Sequence, residues 1–124
     1  MTEKKLVLIV EDDPHVAGLY REKLRLADYD VDVAKDGSEG LRLALGGNPA
    51  VVLLDMNLPE VDGISLLKQL RADARGKDVP VIILTNNIES ERLAEVKGLY
   101  SDYSLKVDLA LDDLVEKIKR YSNP

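Results

Sequence analysis

Short apolar runs alternate with longer segments of helical period along the whole chain, and this alternation limits the fold more than any other feature of the sequence. The five runs are Leu6–Val10, Val31–Ala34, Val51–Leu54, Val81–Leu84 and, weakest, Tyr103–Leu105. Three of them are nearly uninterrupted and rich in Val, Ile and Leu, as expected for strands that are covered on both faces. A strand and a helix repeated five times predict a doubly wound α/β fold, in which helices cover both faces of a five-stranded parallel sheet.

The segments between the runs carry apolar residues at helical spacing. Three helix faces are predicted from this spacing: Val16, Leu19, Tyr20 and Leu24; Ile64, Leu67 and Leu70; and Leu111, Leu114, Val115 and Ile118. Pro14 suits the first turn of a helix, Pro80 the entry to a strand, and Asp108 the N-cap of the final helix. No linker or internal repeat interrupts the chain, so we expect residues 1–124 to form a single domain.

Composition excludes several classes of function. The chain has no cysteine, which excludes disulfide scaffolds, thiolate zinc sites and cysteine nucleophiles. No apolar stretch reaches the roughly 20 residues that span a bilayer, and none near the start is long enough for a signal peptide, so we expect a cytoplasmic protein without a membrane partner. A formal net charge of −6 argues against nucleic acid as a direct ligand.

Polar side chains follow the apolar runs at the positions where strands are expected to end. Glu11 and Asp12 follow the first run, Asp55 the third, Thr85 the fourth and Lys106 the fifth. The carboxyl ends of parallel strands form the edge where ligands bind, so the three carboxylates converge if the first and third runs are neighbours. A divalent cation would offset their repulsion, and a carboxylate beside it can attack phosphorus. Acidic residues after strands are also common as helix caps and solvated turns, and the spacing alone leaves both interpretations open.

Taken together, these segments resemble the receiver domain of two-component response regulators over essentially the whole chain. The most specific match is Leu53–Gly63, in which an aspartate is followed by a short loop with proline and an acidic residue before glycine. Val10–Pro14, Asp36–Gly37, Val79–Thr85 and Asp102–Lys106 extend the resemblance in the family's order. The resemblance implies a flavodoxin-like strand order of 2-1-3-4-5 and a stand-alone phosphoacceptor module of a two-component phosphorelay.

The resemblance also implies a metal site. Asp55 would accept the phosphoryl group, and Asp12 and Asp55 would bind Mg²⁺, or Mn²⁺ in its place, through carboxylate oxygens. Glu11 would contact the ion through water, and Asn57 would contact it through its backbone carbonyl. Such a module would not be an enzyme in its own right, since it catalyses at most its own phosphorylation and dephosphorylation.

A switch and a set of partners are implied as well. Thr85 would donate its hydroxyl to the phosphoryl group, and Lys106 would pair with that group as a point charge. Tyr103 would move from an outward to an inward position as Thr85 moves, so that the fourth helix, fifth strand and fifth helix present a different face. The implied partners are a histidine kinase or phosphotransfer protein as phosphodonor and a downstream protein target, while a monomer and a weak dimer both stay open.

Several residues depart from the family pattern or admit a simpler interpretation. Val107 follows Lys106 where the family usually has proline, and a cis bond before valine would cost about 3–4 kcal/mol. We therefore expect this peptide to be trans with a shifted loop, or cis only because the site forces it. Asn86 is larger than the small residue that the family often has after its threonine. We expect Asp13 to be a helix cap and His15, the only histidine, to be a solvated residue in the first helical turn.

Two other functions are compatible with parts of the pattern. A receiver-like protein-binding module that no longer takes phosphate is suggested by the missing proline. A phosphohydrolase resembling the haloacid dehalogenase type would also form an aspartyl-phosphate. Those enzymes have a second acidic residue two positions after the nucleophile, where this chain has Asn57. A phosphohydrolase function is therefore disfavoured.

Overall fold

The computed structural model describes residues 4–56, 58, 63–85, 91–105 and 111–122. Within these ranges, five strands and five helices alternate along the chain as predicted. The strands are β1 (Leu6–Val10), β2 (Asp30–Ala34), β3 (Val51–Asp55), β4 (Val81–Thr85) and β5 (Asp102–Leu105). The helices are α1 (Pro14–Leu26), α2 (Gly37–Gly46), α3 (Gly63–Ala72), α4 (Glu91–Glu95) and α5 (Leu111–Ser122). None of the helices in the described part of the chain is long and apolar enough to cross a membrane.

The five strands form one parallel sheet in the order β2-β1-β3-β4-β5, which confirms the predicted flavodoxin-like fold. β3 and β4 are buried throughout and β1 almost throughout, because they lie in the middle of the sheet with helices on both faces. The edge strand β2 instead alternates exposed and half-buried residues before it ends at the buried Ala34. The predicted strand positions are correct, and four of the five strands extend one residue further than the apolar runs.

Each face of the sheet is covered by its own group of helices. On one face, Ile118 of α5 packs with Leu53 and with residues of α1. On the other, Leu67 of α3 and Leu93 of α4 pack with the alternate residues of the central strands and with α2. The predicted apolar faces of α3 and α5 are buried, apart from Leu111, which is half-buried. Two separate cores therefore hold the sheet and fix the positions of its strand ends.

The prediction that Leu19 lies on the buried face of α1 is wrong. Its side chain is 47% exposed, whereas Tyr20 and Leu24 are almost fully buried. The buried stripe of α1 passes through Ala17, Tyr20 and Leu24, and Val16 is half-buried beside it. Helical spacing permits either stripe, and contact with the sheet selects the one that contains the small alanine.

Aspartate side chains cap the first two helices. Asp13 accepts a hydrogen bond from the backbone amide of His15 at 2.9 Å, and α1 begins with proline at its first position, as predicted. Asp36 caps α2 in the same way through the amide of Glu39, also at 2.9 Å. His15 is exposed in the first turn of α1, in agreement with its predicted place. The predicted cap of the final helix, Asp108, lies outside the described residues.

Arg71 joins the end of α3 to the segments that lead into β4 and β5. Its Nε donates to the carbonyl of Leu99 at 2.8 Å, and its Nη1 donates to the carbonyls of Gly76 and Val79 at 2.8 and 2.7 Å. A planar guanidinium can satisfy several backbone carbonyls at once because its donors point in fixed directions. One side chain thereby fixes two connecting segments that are distant in sequence.

Candidate functional site

Glu11 and Asp55 reach one edge of the sheet because β1 and β3 are neighbours. Val10 pairs with Leu54 across these two strands, so the residues that follow them emerge side by side. The amide of Glu11 donates to the carbonyl of Ala34 at 3.0 Å, which continues the β1–β2 pairing by one residue. Glu11 and Asp55 are each only 1% exposed. Acidic residues are rarely buried to this degree unless charged or polar groups, or a metal ion, surround them.

Asp12 completes an acidic cluster at this edge. One carboxylate oxygen from each of Glu11, Asp12 and Asp55 lies within 4.8 Å of the other two. Asp12 is exposed, so the cluster opens to solvent on its side. The next residue, Asp13, caps α1 instead. The structure therefore brings together the three carboxylates that the sequence places after the first and third strands. The neighbouring Asp13 caps a helix instead and is not part of the cluster.

The acidic cluster has the donors that a hard divalent cation requires. Three carboxylates at this distance repel one another, and burial of two of them raises the cost of their charge. Opposite ligands of octahedral Mg²⁺ are about 4.2 Å apart, because each Mg–O distance is about 2.1 Å. One oxygen of each carboxylate lies within 4.8 Å of the other two, so a single ion of this size could contact oxygens of the cluster directly or through water. An all-oxygen donor set of this kind also accepts Mn²⁺.

Thr85 lies at the same edge of the sheet as the acidic cluster. It is the last residue of β4, which pairs with β3. The amide of Met56 donates to the carbonyl of Leu84 at 3.2 Å, so the pairing of β3 with β4 continues past Asp55. Thr85 is 5% exposed. A hydroxyl group at this position is suited to donate a hydrogen bond to an anionic group held beside the cluster.

Tyr103 lies on β5, next to the strand that carries Thr85. It pairs with Ile83, and Thr85 follows two residues later on β4. Side chains alternate between the faces of a strand, so Tyr103 and Thr85 belong to the same face of the sheet. Tyr103 is 37% exposed, so part of its side chain reaches solvent.

Gly63 allows the chain to return close to Asp55, and the sequence analysis did not assign it a role in the site beyond its place in the family motif. Its amide donates to the carbonyl of Met56 at 3.2 Å. A Cβ atom at this position would lie 2.7 Å from the carbonyl oxygen of Asp55 and 2.9 Å from the Cα of Met56. Only glycine therefore fits at the start of α3 without displacing the backbone that carries the central aspartate.

A cleft of about 450 Å³ lies beside Glu11 and Asp12, between α1 and the end of β2. The basic residues Arg21 and Lys35 are among its lining residues. No motif in the sequence points to these two residues, because they come from different elements and become neighbours only through the fold.

Besides Asp108, four residues that figure in the predictions about the site and its surroundings lie outside the described residues: Asn57, Asn86, Lys106 and Val107. The backbone contact predicted for Asn57 and the charge contact predicted for Lys106 accordingly stay predictions. The same holds for the geometry of the Lys106–Val107 peptide.

Comparison with known proteins gives a consistent family. The family model described as the response regulator receiver domain matches residues 7–119. The DNA-binding dual master transcriptional regulator RpaA of a Synechocystis strain is 43% identical over 79 residues, which are 64% of this chain and 33% of RpaA. The chain spans from a third to about half of the length of the curated relatives it matches.

Solved structures with the same fold include two that contain a metal ion. The receiver domain of the sensor histidine kinase PA1611 from Pseudomonas aeruginosa PAO1, with a magnesium ion in its active-site cleft, has a TM-score of 0.89 and 29% identity over 98% of this chain and 99% of that one. The response regulator TrrA from Thermotoga maritima, in complex with Mg²⁺-BeF, has a TM-score of 0.84 and 29% identity over 94% of this chain and 98% of that one. Because the family match covers far more than half of the chain and agrees with the fold, we conclude that the chain belongs to the response regulator receiver domain family.

Proposed function

We propose that this receiver domain is a phospho-switch that accepts a phosphoryl group on Asp55 in the presence of Mg²⁺. The observation that carries the proposal is the acidic cluster of Glu11, Asp12 and Asp55, whose oxygens lie within 4.8 Å of one another. Thr85 ends the neighbouring strand at the same edge. As a receiver domain the chain is a signalling module of a two-component system, and we propose that its catalysis is limited to its own phosphorylation and dephosphorylation.

The chemical step is a nucleophilic attack by a carboxylate oxygen of Asp55 on phosphorus. An O–P bond forms, the bond from phosphorus to the donor breaks, and the leaving group keeps that electron pair. The proposed donor is the phosphorylated imidazole of a histidine kinase or phosphotransfer protein, so the leaving group is the imidazole. Burial of Asp55 to 1% exposure limits competition from water and strengthens the electrostatic interactions around the reacting atoms.

Each residue of the site has a proposed part in this step. Asp12 and Asp55 would hold the cation directly, Glu11 through water, and Asn57 through its backbone carbonyl. The bound cation would neutralise part of the charge of the carboxylates and of the phosphoryl oxygens. The Thr85 hydroxyl would donate a hydrogen bond to a phosphoryl oxygen, and the Lys106 ammonium would pair with the group.

Two similar proteins support the proposed cation. The PA1611 receiver domain coordinates a magnesium ion in its active-site cleft, and TrrA was solved with Mg²⁺-BeF. The proposed output is a change in protein contacts at the face formed by α4, β5 and α5, to which Tyr103 belongs. RpaA is a DNA-binding protein, but this chain spans only 33% of it. The prediction that these residues do not bind nucleic acid directly therefore stays a prediction for this segment alone.

Intact mass after incubation with acetyl phosphate and Mg²⁺ tests the proposal. We expect a gain of one phosphoryl group, which is absent with a chelator and in Asp55→Asn. Asp12→Asn should raise the Mg²⁺ concentration needed by at least about tenfold, because it removes a proposed ligand. The matched control is Asp13→Asn, which loses the same charge one residue later. Because asparagine caps a helix about as well as aspartate, this variant should behave as wild type.

The opposite result is equally informative. If wild type gains no mass and also binds no beryllofluoride, the chain is a phosphate-independent protein-binding module. If Asp12→Asn and Asp13→Asn respond equally, the acidic cluster does not hold the ion.

A further inference from the structure

Lys117 of α5 is held above the start of β5 by two oxygen atoms. Its ammonium donates to the carbonyl of Tyr103 at 2.6 Å and lies 3.5 Å from Oδ1 of Asp102. The two side chains are partly buried, with 28% of Lys117 and 19% of Asp102 exposed. A cation that has two oxygen partners in a partly buried place is more tightly positioned than an ordinary surface lysine.

Asp102, the acidic partner, is itself fixed. Its Oδ1 accepts a hydrogen bond from the amide of Tyr103 at 2.8 Å. The hydroxyl of Tyr121, on the last turn of α5, lies 3.3 Å from Oδ2 of Asp102 and 3.1 Å from the carbonyl of Ser101. Contacts from α5 and from the start of β5 therefore determine where this carboxylate lies, and the carboxylate in turn determines where the ammonium of Lys117 lies.

The ring of Tyr103 lies beneath this ammonium. The Nζ atom of Lys117 is 5.7 Å from the centre of the ring, which is within the range of a cation–π interaction. The ring of Tyr100 meets that of Tyr103 edge-on, with centroids 6.2 Å apart and an interplanar angle of 83°. Aromatic pairs favour this arrangement. The exposed ring of Tyr103 thus has two defined partners in its outward position.

We infer that Lys117 is a positioning residue that holds the ring of Tyr103 outward and so opposes activation of the switch. The inference deepens the proposed function and rests on it. The hydrogen bond from Lys117 to the backbone carbonyl of Tyr103 does not depend on the ring's rotamer. The cation–π contact exists only while the ring is outward, and it is this contact that favours one position of the ring over the other.

The inward position lies toward Thr85. Tyr103 and Thr85 belong to the same face of neighbouring strands, so a ring that leaves Lys117 can turn toward the space beside the threonine. A phosphoryl group on Asp55 that draws the Thr85 hydroxyl toward itself would open this space. Coupling between two such events is reciprocal. A change that favours the inward ring must therefore also strengthen the binding of a phosphoryl analogue.

The expected size of the effect follows from the contact that is lost. Loss of a cation–π interaction at a partly exposed site should raise the ratio of inward to outward Tyr103 rings by up to about fivefold. By reciprocity, the affinity for beryllofluoride in the presence of Mg²⁺ should rise by up to the same factor.

The experiment is ¹⁹F NMR of the 124-residue chain labelled with 3-fluorotyrosine, first without Mg²⁺ or phosphodonor. The resonance of Tyr103 is the one that Tyr103→Phe removes. We expect Lys117→Met to shift this resonance toward the position seen in the beryllofluoride complex of wild type. Lys117→Gln should do the same, because glutamine can still donate to the carbonyl but has no charge. Lys117→Arg should restore the wild-type shift, since its guanidinium also stacks on aromatic rings.

Lys119→Met is the matched control. Lys119 lies on the same helix, is exposed and pairs only loosely with Glu116 at 3.9 Å, so the variant loses the same charge without losing a contact to Tyr103. Titration with beryllofluoride should show tighter binding for Lys117→Met and unchanged binding for Lys119→Met. A urea unfolding curve for each variant verifies that it is folded under the conditions of the measurement.

Two results overturn the inference, and they are separable. If the Tyr103 resonance of folded Lys117→Met coincides with that of wild type and of Lys119→Met, Lys117 does not position the ring. If wild type itself takes up neither beryllofluoride nor a phosphoryl group, the proposed function fails and the inference fails with it, whatever the ring does.

Discussion

Replacing Gly63 with alanine is the perturbation whose effect follows most directly from the structure. The added Cβ would lie 2.7 Å from the carbonyl oxygen of Asp55 and 2.9 Å from the Cα of Met56, both closer than the 3.0 Å that real Cβ atoms keep. Both atoms belong to the backbone, so no flexible side chain can move aside. Either α3 must move away from the sheet or the end of β3 must shift, and Asp55 would move in the second case.

The expected cost is that of overfilling a packed region. Such changes typically destabilise a protein by about 1–3 kcal/mol. Alanine also stabilises the folded state by up to about 1 kcal/mol relative to glycine, because it loses less backbone entropy when it enters a helix. We therefore expect a net loss of up to about 3 kcal/mol, and typically about 1–2 kcal/mol, in the free energy of unfolding. With an unfolding entropy of about 2.1 cal/mol/K per residue, a chain of this length should lose about 4–8 °C in Tm.

Gly18→Ala is the matched control. Gly18 lies on the exposed side of α1, and a Cβ there would meet no atom within 4 Å. The same chemical change should stabilise the chain by about 0.5–1 kcal/mol at this position. The two variants should therefore shift the urea midpoint in opposite directions.

The assay for the site is Mg²⁺ binding in the folded state, followed through beryllofluoride uptake. We expect weaker uptake for Gly63→Ala and wild-type uptake for Gly18→Ala. A Gly63→Ala variant that is as stable as Gly18→Ala and takes up beryllofluoride as well as wild type would show that a Cβ atom fits at this position.

Three further predictions concern contacts away from the acidic cluster. Arg71→Ala removes a guanidinium that donates to several backbone carbonyls, and it should lower the free energy of unfolding by about 2–3 kcal/mol in a urea titration; an unchanged midpoint would contradict this. Tyr29→Phe removes the buried 3.0 Å hydrogen bond to Ser122 and should cost about 1 kcal/mol, whereas a variant of wild-type stability would show that the pair contributes nothing. Burial and the nearby charge of Asp102 raise the pKa of Tyr121 above 10.0. Its contribution to stability is therefore complete below the unfolded-state pKa and is lost as the pH rises through the folded-state value. The pKa of Tyr121 can be measured from phenolate absorbance, with the titration of Tyr121→Phe subtracted as a reference. We expect Asp102→Asn to lower this pKa, and an unchanged value would rule out the charge of Asp102 as a cause.

The central part of the fold is predictable because its strands are buried on both faces. Val51–Leu54 and Val81–Leu84 are uninterrupted apolar runs, and the structure extends each by one polar residue at the edge where the site lies. The buried stripe of α1 is harder to predict. Leu19 and Ala17 both fit a helical period, and only the shape of the sheet beneath the helix decides that the smaller residue is buried.

The acidic residues of the site are predictable for a local reason, since each lies at the end of a strand or within two residues after it. The residues that support them are not, because their contacts join distant segments. Arg71 reaches the carbonyl of Leu99, 28 residues away, and Lys117 reaches that of Tyr103, 14 residues away. The role of Gly63 is only partly predictable. An acidic residue before glycine indicates a turn, but the close approach of Gly63 to Asp55 appears only in the folded chain.

We propose that Asp55 carries the phosphoryl group, and chemical mapping of the modified residue tests this proposal. Borohydride reduces an acyl phosphate to an alcohol and so converts a phosphorylated aspartate to homoserine, which peptide mass analysis can locate. After treatment with acetyl phosphate and Mg²⁺, we expect homoserine at position 55 and at neither Asp12 nor Asp13. Homoserine at another position, or none in a wild-type protein that is shown to be folded and supplied with Mg²⁺, would contradict it.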